Sequence, residues 1–114
     1  MSFDGTKLAE QSATPVEAMA DMGAHATEAA AFLKAMSHEG RLMILWHLAA
    51  GEKSVTELER LLASRQAAVS QQLARLRLEG LVQARREGKS IHYSIGDARV
   101  LRLVGLVCQL FKAP

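Results

Sequence analysis

Between Ser64 and Arg77 the chain reads Ser64-Arg65-Gln66-Ala67-Ala68-Val69-Ser70-Gln71-Gln72-Leu73-Ala74-Arg75-Leu76-Arg77. Amide, hydroxyl and guanidinium groups alternate there with aliphatic ones. These polar groups suit nucleic acid: a Gln amide pairs bidentately with adenine, and Arg pairs with guanine or phosphate. On a helix turning about 100° per residue, Val69, Leu73 and Leu76 share one side, and Ala67, Gln71, Ala74 and Arg75 share the opposite side. Ser70 lies on the flank and Gln66 projects from the first turn. Small residues on the far side let the helix approach base edges. Ser64, give or take one residue, caps this helix, whose first N–H groups suit a phosphate. A second basic group follows, Arg85, Arg86 and Lys89, around Glu87-Gly88-Lys89. At a hairpin tip such residues clamp phosphates or enter the minor groove. The competing readings are an ordinary amphipathic helix and a solvated charged turn.

Other chemistry is sparse. There is no nucleophile–base pair, no Gly-rich phosphate loop and no pair of carboxylates at a plausible spacing, so an enzyme is not expected. The four histidines, His25, His38, His47 and His92, share no ligand spacing, and no metal or cofactor is expected. His92, in the middle of a strand-like run, reads as structural. Cys108 is the single thiol. It shares a stripe with Leu101, Val104 and Phe111, and such a stripe is either core or a dimer seam. Cys108 is accordingly either a buried, inert thiol or a candidate redox sensor that meets its symmetry mate and links two subunits on oxidation. Lys112 and Arg102 favour its thiolate, while the helix C-terminal dipole opposes it.

These groups need a frame. Thr14-Pro15-Val16-Glu17 is a capped helix start. Gly23 is a point where that helix can break or kink. Ala29 to Met36 is helical, with Phe32, Leu33 and Met36 on one side. Ser37 caps a second helix over His38 to Ala49, whose Leu42, Leu45, Trp46 and Leu48 form a buried stripe, and Gly51 ends it. Ser54-Val55-Thr56-Glu57 is a capping box that opens a helix with Leu58, Leu61 and Leu62 inward. Ala63-Ser64 is the turn to the polar-faced helix, which Gly80 ends. Two strands, Leu81 to Arg86 and Ser90 to Ile95, bracket the three-residue tip Glu87-Gly88-Lys89. Gly96-Asp97 caps a last helix over Ala98 to Lys112. The fold class is mainly α: a winged helix-turn-helix of about five helices plus a two-stranded β-wing. Residues 1–13 form a disordered acidic tail, and residues 14–114 form one domain.

The bulk numbers agree with that frame. A chain of 114 residues is one domain with a modest core, which a second copy would help. Apolar residues make up 49% and only five residues are aromatic, so the core is aliphatic. No apolar run approaches the roughly 20 residues that span a bilayer. The N-terminus lacks the basic-then-apolar order of a secretory signal. A lone cysteine cannot form an internal disulfide, which fits a reducing cytoplasm. The net charge of +2 conceals an asymmetry. Residues 1–30 hold one lysine against five acids, and residues 31–114 hold 13 Lys and Arg against 7 acids. The folded part is therefore basic, which favours a phosphate-bearing partner.

From Ala29 to Phe111 the sequence resembles the ArsR/SmtB family of bacterial winged-helix repressors. The resemblance rests on order and spacing: Phe32-Leu33-Lys34-Ala35-Met36-Ser37-His38, then Arg41-Leu42-Met43-Ile44-Leu45, Ser54-Val55-Thr56-Glu57-Leu58, Ala68-Val69-Ser70-Gln71-Gln72-Leu73, Leu76-Arg77-Leu78-Glu79-Gly80-Leu81-Val82 and Tyr93-Ser94-Ile95. Glu39 stands where the family has a proline, Gln72 where it has a histidine, and Arg65 where it has a serine. The resemblance implies a homodimer held by the first and last helices on an inverted repeat of double-stranded DNA. It also implies that an inducer lowers DNA affinity, and that Gln66, Ser70 and Gln71 contact bases. The family's metal sites do not carry over. Ser54 and Thr56 occupy its Cys-x-Cys positions, and Arg99 and Leu110 occupy its histidine positions beside Asp97. The persulfide-sensing branch has thiols near Trp46 and Lys112, and both are absent here. The inducer is unknown. A winged helix serving protein–protein contact is the alternative, and an absence of salt-sensitive DNA binding would favour it.

Overall fold

The computed structural model describes residues 15–63 and 66–112, with side chains over 21–63 and 68–112. The expected Thr14 cap, the tail 1–13 and the Ser64 cap lie outside the described residues, as does Arg65. Helix α1 spans Pro15–Met36 and runs unbroken through Gly23. Then follow α2 (Glu39–Ala49), β1 (Lys53–Ser54), α3 (Val55–Leu62), α4 (Gln66–Leu78), β2 (Val82–Glu87), β3 (Ser90–Ile95) and α5 (Ala98–Phe111). The described part holds five helices and a three-stranded antiparallel sheet in the order β1-β3-β2. The expected two-stranded wing thus gains a strand. Lys53 pairs with Tyr93 and Ser54 with His92, too short a run to show as alternation in sequence.

Local chemistry explains most boundaries. Ser54 Oγ accepts from the Glu57 N–H at 3.1 Å and Glu57 Oε1 accepts from the Ser54 N–H at 3.0 Å, closing the expected capping box. That backbone N–H holds the Glu57 carboxyl below its ordinary value. Asp97 caps α5, its carboxylate accepting from the Arg99 N–H at 2.9 Å. At the end of α4 the Leu81 N–H donates to the Leu76 carbonyl, and the Gly80 N–H donates to the Arg77 carbonyl. This is a Schellman closure, with Gly80 at φ 76 and two buried leucines across it. The second helix starts one residue later than expected. His38, not Ser37, is its cap, and Nδ1 of His38 accepts from the Gly40 N–H at 3.0 Å. Ser37 Oγ instead donates back to the Lys34 carbonyl, closing α1. The wing tip is also tighter than expected. Glu87 pairs with Ser90, leaving a two-residue turn, Gly88-Lys89, with Gly88 at φ 61.

One aliphatic core joins all five helices to the sheet. Ile44, Leu45, Leu58, Leu73, Leu76 and Val100 are each at most 1% exposed. Full burial of such side chains contributes about 1.5–3 kcal/mol apiece. Three apolar residues of the expected helix stripes are not buried. Leu33 is 54%, Trp46 47% and Leu61 47% exposed. The α5 stripe divides: Val104 is buried, while Leu101, Cys108 and Phe111 are exposed. The reason in α2 is that it is apolar on two faces. Ile44, Leu45 and Leu48 take the core, which turns Trp46 away from it. In α1 the C-terminal end reaches the core, with Ala35 and Met36 buried and Phe32 packed against them, so Leu33 is left on the flank.

Candidate nucleic-acid interface

Helices α3 and α4 form the helix-turn-helix. The turn between them opens at Ala63, the C-cap of α3, in the left-handed region at φ 49 and ψ 42. It is the only non-glycine residue with positive φ among those described. A Cβ makes that conformation cost about 1–2 kcal/mol, so the tight exit from α3 is held against local strain.

Helix α4 presents its sides as the periodicity predicts. Val69 is 2% exposed, and Leu73 and Leu76 are fully buried. Ala68, Ser70, Gln71, Ala74 and Arg75 face solvent. Gln66 is the first residue of α4; its side chain is outside the described set. Arg75 lies 3.6 Å from Glu79, one turn on, an exposed pair that restrains the guanidinium only weakly. The outward face is not wholly polar, because Leu78 is 82% exposed at its C-terminal end. Gln72, between the two sides, is half-buried and turned toward α2. Its Oε1 accepts from Arg41 at 3.2 Å. That tie was missed in sequence, where Arg41 stands out only as a charge inside an apolar helix.

The wing separates its cations by strand alternation. Arg85 and Glu87 share one face of β2 with His92 opposite Arg85, and Arg86 projects from the other face. Arg85 donates to Glu52 at 2.5 Å and to Glu87 at 2.9 Å. These bonds raise its pKa further, and the bond from Arg85 holds the Glu52 carboxyl below its ordinary value. His92 Nε2 stands 4.0 Å from Glu87. Arg85 is therefore engaged within the wing, with two carboxylates around one cation. Arg86 and Lys89 are exposed and make no ion pair among the described residues.

The last candidate lies elsewhere. Cys108 is exposed on the single chain, so it is not part of that chain's own core. It borders an open hollow of about 610 Å³ between α2 and α5, with Trp46, His47, Leu101 and Val104. Among the described residues no three His, Cys, Asp or Glu side chains gather as a metal site would need. No described helix is long and apolar enough to cross a membrane.

Comparison with known proteins agrees with this geometry. Residues 38–84 match the family described as "Bacterial regulatory protein, arsR family". The chain is 42% identical over 109 residues to a "Biofilm growth-associated repressor" of Agrobacterium fabrum, covering 89% of this chain and 93% of that protein. The crystal structure of the transcriptional repressor BigR from Xylella fastidiosa superposes with a TM-score of 0.81 at 41% identity, over 84% of this chain and 98% of that one. Reduced HlyU from Vibrio cholerae superposes with a TM-score of 0.77 at 38% identity, over 82% and 98% of the two chains. A fold with a paired-helix reader and a wing, and relatives alike along nearly their whole lengths, lead to one conclusion: this chain belongs to the arsR family of bacterial regulatory proteins.

Proposed function

We propose that the protein is a homodimeric transcriptional repressor that binds double-stranded DNA at an inverted repeat, a binding protein rather than an enzyme. The observation that carries this reading is the division of α4. Its apolar edge is sunk in the core at Val69, Leu73 and Leu76, while Ser70 and Gln71 stand clear on the opposite side. A helix seated this way enters the major groove with its amides and hydroxyls toward base edges. By their place in the sequence at and just before the start of α4, Ser64, Arg65 and Gln66 are assigned to the phosphates and first bases. Arg75, Arg86 and Lys89 supply charge for the flanking backbone. The names of two relatives with 41–42% identity support repression.

Exposed apolar side chains support the dimer. Met22 and Leu33 on α1, and Leu101, Leu110 and Phe111 on α5, are 45–84% exposed. Packed against a second copy, the two helices would bury these side chains. Sedimentation should give twice the chain mass at micromolar concentration. Duplexes selected from genomic DNA should carry two half-sites one helical turn apart. Gln71→Ala should cost about 1–3 kcal/mol on such a duplex and relax the preference at one base pair. A uniform loss on selected and random duplexes would remove Gln71 from base reading.

Cys108 extends the proposal to regulation. In a dimer packed through α5 the two thiols face each other. With hydrogen peroxide as oxidant they form an intersubunit disulfide, their two protons and two electrons passing to the peroxide to give water. A dimer band on a non-reducing gel, lost on reduction, is the expected result. Monomer alone after oxidation would exclude this role.

A further inference from the structure

A polar chain crosses the molecule from the end of α1 to the flank of α4. Arg41, half-buried near the start of α2, donates through Nε to the Ala35 carbonyl at 2.7 Å. That carbonyl belongs to the last turn of α1, where the helix itself supplies no partner. The same guanidinium donates through a second nitrogen to Gln72 Oε1 at 3.2 Å. The other end of the Gln72 amide reaches to 3.5 Å from His38 Nδ1, which caps α2. One side chain of α4 is thus fastened to α2 and, through Arg41, linked to the end of α1. The junction has little slack: a Cβ at Gly40 would meet two atoms of the His38 ring at 3.2 Å.

We infer that Arg41 and Gln72 are positioning residues for base reading, and that they set the rotation of α4 without touching DNA. The inference rests on α4 being the reading helix. Gln72 follows Ser70 and Gln71 in sequence but points to the protein. Its amide, bonded to Arg41 at one end and lying against His38 at the other, resists rotation of the helix about its axis. The buried edge at Val69, Leu73 and Leu76 sets the overall seat of the helix, and the polar link limits the small rotation that side-chain adjustment there would still allow. A rotation of about 20° at the radius of a Gln side chain moves its amide by roughly 2 Å, enough to break a bidentate pair with a base. Random DNA, bound through phosphates, tolerates the same rotation. The fork of Arg41 also makes the end of α1 a neighbour of the reading helix. A shift of α1 in a dimer would therefore reach α4 through one guanidinium.

The test uses full-length protein, a duplex selected by the wild type from genomic DNA, and a random duplex of the same length. Gln72→Met removes both polar links at nearly equal length. Arg41→Lys keeps the charge but loses the fork that serves two acceptors at once. Each variant should bind the selected duplex on the order of tenfold more weakly, the size expected for losing a charge-assisted hydrogen bond. Binding to the random duplex and its salt slope should stay within about twofold of the wild type. The double variant should be no weaker than the worse single one, as for two ends of one link. Equal losses on both duplexes, or a shallower salt slope for Arg41→Lys, would make Arg41 a phosphate contact and overturn the inference. Unchanged preference with a lowered melting temperature would reduce the link to stability alone and overturn it as well. If the wild type itself does not prefer the selected duplex, the reading of α4 falls first.

Discussion

Replacing Arg86 by glutamine should change how DNA binding depends on salt, and replacing Arg85 should scarcely do so. Both are exposed arginines next to each other in β2, and sequence alone treats them as equivalent. The structure does not. Arg85 lies between Glu52 and Glu87, so the local charge around it already sums to a net negative. Arg86 projects from the opposite face with no ion pair among the described residues. Each phosphate neutralised by a protein cation adds about −0.9 to the slope of log K against log salt on B-form DNA. A dimer carries two wings, so Arg86→Gln should make the slope shallower by about 1.8. Over a fourfold rise in salt, the variant should then lose roughly tenfold less affinity than the wild type. Arg85→Gln should move the slope by much less, because binding a phosphate there first requires Arg85 to leave a carboxylate. Fluorescence anisotropy with a labelled duplex from about 50 to 200 mM NaCl resolves the difference. Arg86→Gln should weaken selected and random duplexes alike. Equal changes of slope for the two variants, or a larger one for Arg85, would refute the division of the wing's cations.

Three further outcomes test the frame. Leu73→Ala, at a fully buried position, should lower stability by about 2–5 kcal/mol, read as a fall in the urea midpoint at fixed protein concentration. Ala63→Gly should raise stability by roughly 0.5–1 kcal/mol, because glycine adopts the left-handed conformation without the Cβ clash; a loss would mean the turn is unstrained. Asp97→Asn should flatten the acid side of the stability profile. The Arg99 side chain, bonded to Asp97, holds its carboxyl below the ordinary value. A carboxylate depressed in the folded state stabilises fully above its unfolded pKa, about 3.9, and loses that contribution as pH falls through the lowered value. Urea midpoints measured from pH 7 down to 3 should therefore fall less steeply in the variant, and parallel curves would remove Asp97 from the acid response.

The features legible in the sequence are those set by neighbours a few positions apart. The box at Ser54 and Glu57, the cap at Asp97, the stop at Gly80 and the apolar edge of α4 all lie within one or two helical turns. The features that escaped depend on distant partners. Periodicity in α2 shows two apolar faces but not which one meets the core, so Trp46 reads as buried when it is not. Strand β1 has two residues and exists only because β3 lies beside it. Arg85 looks free until Glu52, 33 positions earlier, is folded against it. Gln72 has no role legible in the sequence until Arg41, 31 positions earlier, turns its amide inward. In each case tertiary contact decided between options that local chemistry left equal.

Every role assigned to the described side chains of α4 depends on its binding DNA with sequence preference. The most direct measurement is the affinity of the full-length protein for a duplex recovered from genomic DNA, set against a random duplex at the same salt. Selective binding on the order of a thousandfold or more is predicted for the wild type, reduced by about 5- to 150-fold in Gln71→Ala. Equal affinity for both duplexes, or a preference that Gln71→Ala leaves untouched, would contradict it.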